Sequence, residues 1–122
     1  MIQHMNWKII RLELGRTDEF PAGSVSRGYF VRVPLTDDGS VDEAAIERAP
    51  DKAIVRRFWS AEPEQTGRIV RNDSYWALRC EGKPDLLFPL RMPLRAVGEE
   101  VTGVADDGRL LPFRISSIRR FG

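Results

Sequence analysis

Apolar and charged residues alternate with period two through most of this 122-residue chain, and the charges are sorted by sign. Arg11, Arg32, Arg56, Arg57, Arg68, Arg71, Arg79, Arg91 and Arg114 stand inside aliphatic and aromatic runs. Asp37-Asp38, Glu62, Glu64, Glu99-Glu100 and Asp106-Asp107 stand in the gaps between them. Successive side chains of a β-strand point to opposite faces, so this alternation suits strands with one face in a core and the other in water. It predicts a small all-β protein whose outer surface carries guanidinium groups.

The pattern predicts strands at 7–14, 27–35, 53–59, 67–71, 75–80, 86–91, 100–105 and 109–118. In the second, Tyr29, Val31, Val33 and Leu35 share the inner face and Arg32 points outward. Pro34 has no amide hydrogen, so the chain is expected to lie at an edge or leave the sheet there. Residues 60–66 read as a polar loop, and Asn72-Asp73-Ser74 as a short hairpin connection. Asp107-Gly108 is the strongest hairpin signal in the chain. In the last strand Phe113 and Ile115 keep one parity and Ile118 breaks it, which predicts a bulge at Ser116-Ser117.

One helix is expected, in an insertion at about 36–52. Ser40-Val41-Asp42-Glu43 matches a capping box with Ser40 as the cap, and Pro50 ends the helix by Ala49. So short a helix cannot stand alone, and Val41, Ala45 and Ile46 form the stripe that would pack on the sheet. The whole is one domain over 1–122: all-β with one short helix, a small antiparallel barrel or sandwich of about seven to eight strands, the barrel preferred.

A single cysteine, Cys80, excludes an internal disulfide and favours a reducing compartment. The first residues lack the apolar stretch of a signal peptide, and no run approaches the roughly 18 apolar residues of a membrane helix. A soluble cytoplasmic protein without a membrane role is expected. Net charge is +1, but residues 36–64 hold eight acids against four bases, a separate acidic feature beside a basic sheet. Sixteen of the nineteen basic residues are arginine, which a GC-rich genome explains as readily as recognition.

No catalytic, cofactor or metal motif rises above background, and none is expected. His4, the one histidine, sits four residues from the terminus, a poor place to hold a catalytic geometry. Cys80 shares parity with Trp76 and Leu78, so burial as a small hydrophobe explains it better than nucleophilic chemistry. The paired acids fall where turns want them, and the glycines are isolated rather than phosphate-cradling.

What remains is arginine interleaved with aromatics. Small barrels that bind single strands use rings for stacking and arginines for phosphates. The candidate surface comprises Arg56, Arg57, Trp59, Arg71, Tyr75 and Arg79. Against it, Phe58, Trp76 and Phe113 fall on core parities, and near-neutral charge weakens phosphate binding. Three functions follow in order: a non-catalytic module that binds a protein partner or itself, a nucleic-acid-binding barrel, and a small-ligand barrel or enzyme. The stretch Pro89-Leu90-Arg91-Met92-Pro93-Leu94 is expected to be a proline-guarded edge or a docking segment.

Overall fold

The structure, a computed structural model, describes residues 6–92 and 94–121. His4 lies outside the described residues. Eight antiparallel strands follow one another around a closed barrel: β1 (Trp7–Leu14), β2 (Ser24–Pro34), β3 (Ile54–Trp59), β4 (Glu62–Asn72), β5 (Tyr75–Cys80), β6 (Leu86–Pro89), β7 (Glu100–Val104) and β8 (Leu110–Arg120). β8 pairs back onto β1, so the barrel, not the sandwich, is the architecture, and among the described residues no edge strand is left over.

Parity decides what fills the bore. Ile10, Leu12 and Leu14 of β1, Tyr29, Val31 and Val33 of β2, and Val55 of β3 are all buried. Trp76, Phe88, Phe113 and Ile115 complete a packed interior, so the bore is filled by side chains. Tyr29 meets Phe113 edge-on at 5.7 Å, and Phe88 tilts against Phe113 at 6.0 Å. The bulge falls as predicted: Arg11 pairs Ser117 and Leu12 pairs Ile115, so Ser116 is the extra residue.

The 15–23, 60–61, 81–85 and 105–109 connections gather at one end of the barrel, which stays open. The 35–53 and 90–99 connections close the other. There α1 (Glu43–Arg48) and a 3₁₀ turn at Pro50–Lys52 follow the Leu35–Val41 bridge, with Val41 and Ile46 buried against the barrel. Pro34 ends β2 where β3 no longer pairs with it.

Three expectations need correcting. The cap of α1 is Asp42, whose Oδ1 accepts from the Ala45 amide at 3.1 Å, rather than Ser40. Residues 60–66 are not a loop: a two-residue turn places Glu62 opposite Trp59, and β4 starts at once. Its polar first half hid it, because Glu62 and Glu64 are there to meet Arg57 and Arg56 across the ladder. The 89–94 stretch is no free docking segment either. It crosses the closed end, where Met92 and Leu94 are buried and the Leu94 amide donates to Gly39 O at 3.0 Å.

Candidate functional site

Ladder register groups the outward-facing residues into rows that no single strand reveals. Ile9 pairs with Arg32 on one side and Arg119 on the other, and Ile54 pairs with Arg68. One residue pair further on, Arg11 faces Phe30, and Phe30 faces Arg56. Arginine and apolar side chains therefore alternate around the outer wall as well as along each strand.

Arg32, Arg56 and Arg119 frame a shallow groove of about 250 Å³ whose floor is Ile9, Phe30 and Ile54. No acid lines it. Arg32 is held by its Nε, which donates to Lys52 O at 2.7 Å, and by the Phe121 ring 4.3 Å away. Arg56 lies 4.8 Å from the Phe30 ring centre and reaches Glu64 at 3.2 Å, an exposed pair worth little. Arg119 is exposed and pairs with no acid among the described residues.

Beside the groove Arg11 is clamped on the outer wall. Its guanidinium sits 4.3 Å from the Phe58 ring centre and 5.1 Å from that of Phe30, while Nε donates to Glu13 at 2.9 Å. Gly28 makes room for this stack, since a Cβ there would come within 1.9 Å of Leu12 O and 3.0 Å of Phe58. Phe58 is thus an outer-face residue, which corrects the core parity expected for it: Val55 is buried, so Arg57 and Trp59 turn inward and Phe58 turns out.

The six residues singled out in the sequence do not form one surface. Arg56 belongs to the groove. Arg57 and Trp59 lie at the open end, with the guanidinium 4.4 Å from the indole centre and 2.8 Å from Glu62. Arg71 is at the closed end, tied to Glu43 of α1. Tyr75 is exposed on the wall near that end. Arg79 is on the wall too, doubly bonded to Asp85, which raises its pKa further. Each of the four arginines has a carboxylate partner. The sequence reading missed Ile9, Arg32, Phe30, Ile54 and Arg119 as a group, because what joins them is strand register.

Three groups near Arg57 complete the electrostatics, Tyr29 and Cys80 in the bore and Glu62 exposed at its rim. Burial pushes the Tyr29 phenol and the Cys80 thiol up, with Arg57 opposing both. Hydrogen bonds from Arg57 and Lys83 hold the Glu62 carboxyl below the ordinary carboxylate range. The buried thiol is poorly suited to act as a nucleophile. Among the described residues no three His, Cys, Asp or Glu side chains converge as a metal site, and no helix is long and apolar enough to cross a membrane. No protein-family model, curated protein or solved structure matches this chain.

Proposed function

We propose that this barrel is a protein-binding module that seats an acidic segment of a partner protein on the outer wall of β8, β1, β2 and β3. The observation that supports it is the groove itself: three guanidinium groups around an apolar floor, with no acid among the lining residues. A segment with an aliphatic side chain flanked by carboxylates complements both parts. Arginine is enriched where interfaces bind tightly, and two of these three are braced in advance, which lowers the ordering cost of binding.

Nucleic acid fits this wall less well. The rings that would stack bases already carry guanidinium groups, Arg11 and Arg56 on Phe30 and Arg32 on Phe121. Arg71 and Arg79 of the candidate surface are paired with acids away from this wall, and a net charge of +1 offers little counterion release.

The test is fluorescence anisotropy with a short labelled peptide alternating glutamate and leucine. A lysine–leucine peptide and a labelled oligothymidylate serve as comparators. Binding of the acidic peptide alone is expected, with Arg32→Glu and Arg119→Glu each weakening it by about tenfold or more. Preference for the oligothymidylate would establish the nucleic-acid reading instead. Self-association of the protein that Arg119→Glu abolishes would make the occupant a second copy, and unchanged affinity in both variants would remove the groove from consideration.

A further inference from the structure

We propose that the open end of the barrel binds a second and different ligand, a small monocarboxylate with an apolar body, through Arg57. A cleft of about 670 Å³ lies there between the 15–23 connection, the end of β3 and the β7–β8 hairpin. Its apolar lining is Leu14, Phe20, Trp59, Leu110, Leu111 and Pro112. Small-molecule sites have volumes of roughly 300–1,000 Å³ and pair such a lining with a few converging polar groups.

Arg57 is the converging group. Its inward parity on β3 brings it up through the rim of the bore, its side chain is only 13% exposed, and Trp59 stacks against it. A guanidinium presents five donors in a planar fork that matches a carboxylate. Here Glu62 occupies one end of that fork through a single bond from Nη1. Glu62 is replaceable: Lys83 also donates to its Oε1, at 3.1 Å, and keeps it paired when a ligand carboxylate takes its place on Arg57.

The charge of the lining sets the ligand class. The lining carries Arg16, Arg57 and Arg109 against Asp18 and Glu19, a margin of one positive charge, and the Arg109–Asp107 pair at the rim is exposed and worth little. One negative charge is balanced there, whereas a phosphate dianion would be repelled by the two acids. Packing the bore with Trp76, Phe88 and Phe113 keeps the apolar body of the ligand in the cleft and out of the barrel.

Two-dimensional NMR of the isotopically labelled protein tests this, with phenylbutyrate, phenylbutanol and inorganic phosphate added separately. Saturable shifts of the Arg57 side chain, the Trp59 indole and the Leu111 amide are expected with phenylbutyrate alone. Arg57→Lys, which keeps the charge and loses the fork, is expected to weaken binding by about tenfold. Glu62→Gln releases the guanidinium in an intact barrel and is expected to tighten binding. Equal shifts from the alcohol, stronger binding of phosphate, shifts confined to Arg32 and Arg119, or weaker binding in Glu62→Gln would each overturn the proposal.

Discussion

Arg56 and Arg57 are neighbours in sequence and serve opposite sides of the barrel wall. Arg56 lies 4.8 Å from the Phe30 ring centre on the outside, and Arg57 lies 4.4 Å from that of Trp59 at the rim of the bore. Each meets a glutamate of β4, Glu64 and Glu62 respectively. A single hairpin thus sets one guanidinium toward the groove on the outer wall and the next toward the cleft at the open end, and substitutions at the two positions are expected to separate the two proposed binding activities.

The outer stack of Arg11 on Phe58 is expected to contribute modestly to stability. A cation over a ring at a partly exposed site is worth about 0.5–1 kcal/mol. Phe58→Leu keeps most of the apolar cover and removes the ring, so denaturant unfolding should show a loss of about that size. A loss of several kcal/mol would mean that Phe58 is part of the core after all.

Truncation inside the bore should cost far more. Phe113 is fully buried between Tyr29 and Phe88. Phe113→Ala leaves a cavity in a filled barrel, and the expected cost is about 3–5 kcal/mol. A neutral result in the same unfolding experiment would contradict the inward parity of β8.

The helix cap separates two adjacent candidates. Asp42→Ala removes the side-chain bond to the Ala45 amide and should cost about 0.5–2 kcal/mol, while Ser40→Ala should leave the melting temperature nearly unchanged. The reverse order would restore Ser40 as the cap.

How much of this was legible in the sequence depended on what each residue's meaning requires. From Ile10 to Leu14 of β1 and from Tyr29 to Val33 of β2 alternation names the inner face directly, and the Ser116 bulge follows from the parity break at Ile118. The β3–β4 turn was hidden because Ala61, not glycine, takes the left-handed conformation there, with φ 69°. Phe58 and Trp59 are consecutive aromatics, so only one can face inward; burial of Val55 gives that place to Trp59. The groove was beyond reach for a different reason. Ile9, Arg32 and Arg119 come together through pairings between β1, β2 and β8, and alternation within a strand carries no register between strands.

Glu62 gives the last expectation, in its dependence on pH. Its carboxyl titrates below the ordinary range because Arg57 and Lys83 donate to it in the folded barrel. A carboxylate whose folded pKa is depressed binds fewer protons folded than unfolded between the two values. Its contribution is therefore fully present above the unfolded value of about 4.3 and is lost as pH falls through the lower folded value. Glu62→Gln should accordingly melt below the parent protein at neutral pH, and the gap should close in acid as the parent's own carboxyl protonates. Thermal unfolding followed by circular dichroism across that range reads the difference. A gap that stays constant into strong acid would show that the charge on Glu62 contributes nothing to the open end.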